Sequence, residues 1–388
     1  MPSAATPSAA PSAADVTVVG AGLIGLTAAL ALADRGLSVL LAGNKHTGEA
    51  SPAGAGMLAP SVEDPHSPPG PDPGRQFAVA SLERYPGYLD SLADRTGITV
   101  PLNRRGILRV ALDETGAREL RQHGGPQAQW LSPDAVRNME PGLVSTAGAM
   151  FYPTDGAADN VALLHALDVA IERSPRIHRI RTDVRAIAAG ASPATCTLAG
   201  SGHVISSSHI VLAAGAWTTL IEGLPRAIPV EPYRGQMFSV AASGAAALSH
   251  VVYGPDSYIV PRGDLVLVGA TMERAGFHPV TTEAALASVR AKAAAYWPIA
   301  ASAPTVSAWA GLRPVTPDLL PILGRDPEFP ALIYACGHSR NGILMAPLTG
   351  DCVAALVTRT AAPASLGAFS IERFANGARI GARSDVPS

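Results

Sequence analysis

Among the 388 residues, Arg313 sits where a charge is least expected, in the run Trp309-Ala310-Gly311-Leu312-Arg313-Pro314. A guanidinium in so apolar a stretch is a surface stray, half of an internal ion pair, or a clamp for an anion, which arginine can hold through two parallel hydrogen bonds. Tyr258, in Ser257-Tyr258-Ile259-Val260-Pro261-Arg262, carries a hydroxyl on a strand-like stretch and reads equally as a half-buried strand tyrosine. Met57 follows Gly56, and Met272 follows Gly269-Ala270-Thr271; each reads as core methionine or as the wall of a small pocket. His338, Arg340, Asn341 and Gly342 share one turn between an apolar run and a helical pattern, where Arg340 alone would pass for a solvated loop charge. The sharpest signal is Gly20-Ala21-Gly22-Leu23-Ile24-Gly25, which fits G-x-G-x-x-G after a strand pattern and at the start of a helix pattern. In such a turn Gly20 permits the sharp bend, Gly22 admits a pyrophosphate, and Gly25 lets the helix lie close to the sheet. The helix N-terminus adds N–H donors and a partial positive charge. One part of the fingerprint is missing. An acidic residue should end the second strand about 20 residues on, to bind ribose hydroxyls. That place holds Ala42-Gly43-Asn44-Lys45, which leaves Asn44 as a weaker, uncharged partner.

The elements that must position these residues follow from apolar runs and their punctuation. Val16–Val19 and Leu37–Leu41 read as buried strands around a helix, Leu23–Arg35, that ends at Gly36. Ser61–Gly74 is too rich in proline for a regular element and reads as a long loop. Helices are expected over Phe77–Ala93, Asn160–Glu172, Thr282–Tyr296 and Pro347–Arg359. Strands are expected at Gly106–Val110, Gly148–Tyr152, Ile177–Ile180, Val184–Ala188, His209–Ala213, Met237–Val240, Ser257–Pro261, Leu265–Ala270 and Leu332–Ala335. Strands suited to the nucleotide unit come from the N-terminus, the middle and the C-terminus. The expected fold class is therefore α/β plus α+β. It has a discontinuous Rossmann-like domain (residues 15–88, 155–228 and 306–375) and an inserted antiparallel-sheet substrate domain (89–154 and 229–305). Residues 1–14, a Pro/Ser/Ala tract with no basic start and no apolar segment, read as a disordered tail rather than a secretory signal, and 376–388 as a second tail.

Composition excludes several classes. With 47% hydrophobic and 15% charged residues, the chain can bury a sizeable core and is not a disordered polyelectrolyte. A formal net charge of −2 gives no basic field for nucleic acid. Lys45 and Lys292 are the only lysines among 29 basic residues, which together with the abundant alanine reads as coding bias. Cys196, Cys336 and Cys352 form no CxxC pair, so neither a disulfide scaffold nor a structural zinc site is expected, and no metal is assigned. The longest apolar stretch, Val16–Leu41, is broken by glycines, Asp34 and Arg35, so no membrane span is expected and the protein is placed in the cytoplasm.

Three further glycine-bearing places could touch an extended cofactor: Ser51–Pro60, Leu212–Trp217 and Gly337–Gly342. A nicotinamide enzyme normally needs one end of the chain for its cofactor, whereas FAD is threaded through both. The stretches VTVVGAGLIGL, AGAGMLAP, VLAAGAW, SYIVPR, LVLVGATME, WAGLRPVTPDLLPILG and ACGHSRNGILMAPLTG follow one another from about Asp15 to about Arg359. In this order they resemble the glycine oxidase branch of the D-amino-acid oxidase family of FAD enzymes, the last two being the most specific. D-amino-acid oxidases proper are similar in layout but differ in the Gly-His segment. Sarcosine oxidases are also similar and often attach FAD through a cysteine in the segment equivalent to Ala310–Pro314, where this chain has none. The resemblance therefore implies non-covalent FAD.

It also implies roles. Arg313 and Tyr258 match the residues that hold the substrate α-carboxylate, Arg340 lies near that carboxylate and the flavin edge, and Met57 and Met272 match the pocket wall. Cofactor contacts are expected from Gly20, Gly22, Leu23, Ile24, Gly25 and Asn44, from Ala55, Gly56 and Met57, and from Val184. The remainder fall at Ala214, Gly215 and Trp217, and at His338, Arg340, Asn341, Gly342, Ile343 and Leu344. No residue is expected as an essential acid or base, because in this family hydride passes from Cα to the flavin and the substrate amine reacts neutral. His338 is expected to pack at the flavin, with a helix beginning near Met345-Ala346-Pro347 aimed at its pyrimidine side. The implied activity is oxidation of glycine, sarcosine and small D-amino acids to the imine and glyoxylate, with ammonia and H₂O₂ from O₂. The implied setting is thiazole formation in thiamine biosynthesis, in a homo-oligomer such as a tetramer. The rivals are an oxidase of an N-substituted glycine, a D-amino-acid dehydrogenase using an acceptor other than oxygen, and a FAD-binding protein without catalysis.

Overall fold

The structure, a computed structural model, describes residues 11–62, 72–125, 127–144, 146–242 and 247–375. Most of the two tails and of the proline-rich stretch thus lie outside the described residues.

The first strand, β1 (Ala13–Val19), runs into the glycine turn, helix α1 (Leu23–Asp34) and strand β2 (Val39–Ala42). β1 is longer than expected: Ala13 and Ala14, counted with the tail, already pair with Ser206 and Ser207. β1 lies inside an eight-stranded sheet, parallel to β2 on one side and to Val204–Leu212 on the other. Beyond β2 comes Ile177–Ile180, and beyond Val204–Leu212 comes Leu332–Cys336, both again parallel. All five strands point their C-terminal ends to one edge, where open α/β sheets bind their ligands. The apolar runs are continuous because both faces are covered: α1 and the helix Gly342–Thr358 pack on one side with Leu26, Ala29, Leu348 and Val353 in a shared core.

The second sheet has eight strands in the order Thr305–Val315, Glu231–Ala241, Leu265–Gly269, Tyr258–Arg262, Val251–Tyr253, Ile107–Ala111, Gly148–Tyr152 and Gln129–Leu131. It is antiparallel except where Val251–Tyr253 meets Ile107–Ala111. Thr305–Val315 pairs with Glu231–Ala241 along nearly its full length, so the strand carrying Arg313 belongs to this sheet and not, as the boundary at 306 implied, to the nucleotide unit. A small sheet of Met57–Leu58, Gly156–Ala158 and Leu102–Asn103 sits between the two.

Two helix expectations change. Phe77–Ala93 is two helices, Pro73–Leu82 and Tyr85–Thr96, and Pro86 stands in the first turn of the second, where its missing N–H has no partner to lose. The C-terminal helix opens at Gly342, five residues before Pro347, which lies inside it. Pro347 cannot bond the Ile343 carbonyl four residues back, and the buried Tyr85 hydroxyl donates to that carbonyl instead. The helices Glu114–His123 and Pro133–Met139, capped by Asp113 and Ser132, have no counterpart in the sequence reading.

Candidate active site

A cavity of about 380 Å³ opens at the C-terminal edge of the parallel sheet. Its walls come from the turn Gly20–Ile24, the end of β2 through Asn44, residues 183–185, 213–217, 312–314 and 335–340, and Gly342-Ile343. Gly20 has φ +109°, and a Cβ there would lie 2.3 Å from the Ala213 carbonyl oxygen, so no other residue fits the turn. Gly25 does not line the cavity. A Cβ on it would lie 1.8 Å from the Gly20 oxygen, which makes it the contact that seats α1 on the turn.

Two helix N-termini face this space without a side-chain cap of their own, α1 at Gly22 and the C-terminal helix at Asn341. First-turn N–H groups in that state are ready donors for an anionic ligand. The Leu23 N–H is held at 3.0 Å by Ser51 Oγ, from a segment that is itself strapped down on every side. Asn160 Nδ2 donates to the carbonyls of Ser51 (2.7 Å) and Pro52 (3.2 Å), and Trp309 Nε1 to that of Ala53 (2.9 Å). Arg262 Nη2 donates to the Ala55 carbonyl (2.8 Å) and to Asn160 Oδ1 (2.7 Å). Arg262 and Trp309 stand on the antiparallel sheet and Asn160 opens a helix of the nucleotide unit. The strap leading to Gly56 and Met57 is therefore fixed from both sides. Arg262 and Asn160 were not singled out from sequence, and only the position of Arg262 at the end of an apolar strand hinted at a buried charge.

Arg313 reaches the cavity from the edge strand. Its Nη1 donates to the Thr271 carbonyl at 3.0 Å. The guanidinium lies flat on Gly235 of the next strand, where a Cβ would come within 2.0 Å of Nη1. Among the described residues no carboxylate pairs with it. Thr271 belongs to the segment Gly269–Met272, which ends the strand facing Tyr258, since Tyr258 and Gly269 are register partners. The Tyr258 ring packs at 5.6 Å from that of Tyr253, whose hydroxyl lies 3.0 Å from Met57 Sδ. Met57, Tyr253, Tyr258, Ala270 and Trp309 pack on one buried cluster. Tyr258, Met57 and Met272 do not line this cavity; Tyr258 is joined to Arg313 through the segment 269–271.

His338 does line it, 3% exposed, with Nε2 3.1 Å from Thr349 Oγ1. Burial pushes its imidazole from 6.5 down to about 3, so the ring is neutral at working pH. The unfolded chain then takes up the proton first on acidification. The stability this group contributes is complete above about pH 6.5 and is lost as pH falls toward 3. His338→Gln is accordingly expected to flatten the decline of Tm on lowering the pH below about 6. An unchanged slope would show that another group controls acid sensitivity.

Of the other expected contacts, Gly20, Gly22, Leu23, Ile24, Asn44, Val184, Ala214, Gly215, Trp217, Arg340, Gly342 and Ile343 line the cavity. Ala55, Gly56, Asn341 and Leu344 do not; Leu344 is 1% exposed inside the core around α1. Cys336 also lines the cavity, but burial pushes its thiol up to about 12, so no thiolate is available for attachment near neutrality.

The DAO family, described as FAD dependent oxidoreductase, matches residues 15–356. The chain belongs to this family of FAD-dependent oxidoreductases. Among DAO relatives, a glycine oxidase from Geobacillus kaustophilus is 33% identical over 371 residues, covering 92% of this chain and 97% of that protein. Its solved counterpart superposes with a TM-score of 0.87 at 32% identity, over 94% of this chain and 99% of that one. A bifunctional ThiO/ThiG protein from Trichormus variabilis is 32% identical over 93% of this chain, and the chain spans about half of its length (55%). An iminodiacetate oxidase from a Chelativorans species has a TM-score of 0.81 at 26% identity, over 92% of this chain and 98% of that one. The cavity suits the DAO cofactor: the Gly20 cradle admits backbone contact, and the first turns of two helices, α1 beyond the Leu23 N–H that Ser51 holds and the C-terminal helix, offer N–H groups to phosphates and to a reduced, anionic flavin ring. Since burial holds Cys336 as the thiol, acid precipitation is expected to release free yellow FAD; flavin that stays with the pellet would overturn non-covalent binding.

Proposed function

We propose that the protein oxidises glycine, and small amines of the same shape, to the imine, which water hydrolyses to glyoxylate and ammonia while O₂ becomes H₂O₂. The observation that carries this reading is Arg313, a guanidinium in the cavity wall with one carbonyl partner and, among the described residues, no carboxylate. A half-buried fork of this kind suits a carboxylate that arrives with the substrate. FAD, when bound, supplies the acceptor for the two electrons and the hydrogen from the substrate Cα. The chain's own part is placement. The Thr271 carbonyl and the Gly235 shelf fix the guanidinium plane; we take Tyr258 and Met57, which pack together beside the 269–272 segment, as the limit on substrate size beyond Cα. Burial lowers the basicity of His338, and the wall carboxylates Glu49 and Asp183 already accept from the backbone N–H groups of His46 and Asn44, so none of them is assigned the amine proton. The reactive amine is therefore the unprotonated form, and turnover rises as pH approaches the substrate amine pKa.

The similarity to glycine oxidase over nearly the whole chain supports this substrate, and the similarity to the ThiO/ThiG proteins supports a place in thiamine biosynthesis, with the imine passing to thiazole formation. A second reading, an N-substituted glycine as substrate, is favoured by the likeness to iminodiacetate oxidase. Steady-state assays following H₂O₂ with glycine, sarcosine, iminodiacetate, D-alanine, L-alanine and D-phenylalanine separate the two. Glycine, sarcosine and D-alanine are expected to react, L-alanine to be inert, and D-phenylalanine to react poorly. Turnover of iminodiacetate far above glycine selects the second reading. Equal turnover of the two alanines would contradict a carboxylate fixed by Arg313.

A further inference from the structure

We propose that Asp183 supplies the carboxylate for the adenosine ribose that β2 of this chain lacks, an inference that rests on FAD as the cofactor. Positions 42 and 43 at the end of β2 have no room for an acid. Ala42 is fully buried, and a Cβ on Gly43 would lie 2.6 Å from the Ala21 nitrogen, against the glycine turn itself. Asn44 is the first exposed side chain, and its Oδ1 is already taken by the Lys45 N–H at 3.0 Å. A carboxylate reaches this place from another strand. Ile177–Ile180 lies parallel to β2, so its C-terminal end emerges at the same edge of the sheet, and Asp183 follows it in the loop before Val184.

Asp183 Oδ1 accepts from the Asn44 backbone N–H at 3.1 Å and lies 3.0 Å from His46 Nε2, whose ring is stacked on Trp217 at 4.8 Å. The carboxylate is thus oriented by groups on both sides. Its second oxygen has no partner among the described residues, and Asp183, Asn44, His46 and Trp217 all line the cavity. The order of the sheet says which part of the cofactor belongs here. Between the strand leading to Asp183 and the strand leading to His338 lie β2, β1 and Val204–Leu212. Four strand spacings put these two loops about 19 Å apart. The glycine turn at the end of β1 stands midway, where the pyrophosphate binds. Arg313 and the His338 turn hold the reacting end, so the Asp183 side receives the adenosine, whose vicinal hydroxyls are donors for a free carboxylate oxygen.

The test is a binding cycle on the apoprotein, following quenching of flavin fluorescence with FAD and with an FAD analogue lacking the adenosine 2′-hydroxyl. Asp183→Asn keeps one acceptor for the Asn44 N–H and removes the charge together with the second acceptor oxygen. The wild type is expected to bind the analogue about tenfold or more weakly than FAD, as for loss of one charge-assisted hydrogen bond. Asp183→Asn is expected to lose a similar factor for FAD and to show little further loss with the analogue. Adding Asn44→Asp to that variant, which returns a carboxylate to the β2 end, is expected to recover part of the affinity. Wild-type protein that binds FAD and the analogue alike would overturn the proposal without any variant. So would Asp183→Asn binding FAD as the wild type does, or losing the same factor for both ligands. Wild-type apoprotein that takes up no FAD would instead overturn the cofactor on which the proposal rests.

Discussion

Arg313→Ala is expected to raise the apparent KM for glycine about 100-fold or more, a loss of ~3 kcal/mol, while the protein still folds and binds FAD. The size follows from the lost fork: the half-buried guanidinium lies on the Gly235 backbone with one carbonyl partner and no carboxylate among the described residues, so a substrate carboxylate would be its counter-charge there. Arg313→Lys should recover only part, because an ammonium reaching past Thr271 cannot present two parallel donors. An independent variant removes the shelf and leaves the arginine. Gly235→Ala places a methyl group within 2.0 Å of Nη1 and should displace the guanidinium, with a rise in KM of the same kind. Arg313→Ala with near-normal KM and full FAD content would remove the carboxylate role.

Arg262→Met is expected to act mainly on kcat and on cofactor affinity. Arg262 bonds the Ala55 carbonyl and Asn160 Oδ1, and Asn160 in turn holds the carbonyls of Ser51 and Pro52. Ala55 is 5% exposed and Asn160 fully buried, so removing the guanidinium strands two acceptors in the interior, at a cost of about 3 kcal/mol. The strap Ser51–Met57 links the Leu23 N–H at the glycine turn to Met57, which packs against Tyr253 beside the cavity. Its loosening should lower kcat about tenfold or more and weaken FAD binding, with a smaller change in KM. Arg262→Lys, which can serve one of the two acceptors, should fall between. Unchanged kcat and FAD affinity in Arg262→Met would show that the strap is held without it.

What the sequence revealed and what it hid divide along range. The glycine turn, β1, α1 and β2 were legible because each is signalled locally: a short apolar run, glycines at fixed offsets, and a 3.6-residue period ended by Gly36. Arg313 was legible because a charge in an apolar run is rare. The polar helix Glu114–His123 was not, since its signal is a single cap, Asp113, rather than a long apolar face. The start of the C-terminal helix was misplaced at Pro347, because the hydroxyl that compensates for the proline comes from Tyr85, far away in sequence. The edge strand Thr305–Val315 was not among the expected strands: it begins with four exposed residues, Thr305–Ala308, and is defined by its pairing with Glu231–Ala241. Asp183 could not be connected with Asn44 across 139 positions by any local pattern; only the pairing of Ile177–Ile180 with β2 brings them together. The same holds for Arg262 and Asn160, which meet across 102 positions.

The central claim, that a carboxylate seated on Arg313 presents the Cα of glycine to the flavin, is tested most directly by mixing the FAD-loaded protein with glycine in the absence of oxygen and following the visible flavin absorbance. The expected result is bleaching by glycine at a rate that rises with pH, no bleaching by L-alanine, and return of the colour when oxygen is admitted. A fully FAD-loaded protein whose absorbance is unchanged by glycine, or is bleached equally by both alanines, would contradict it.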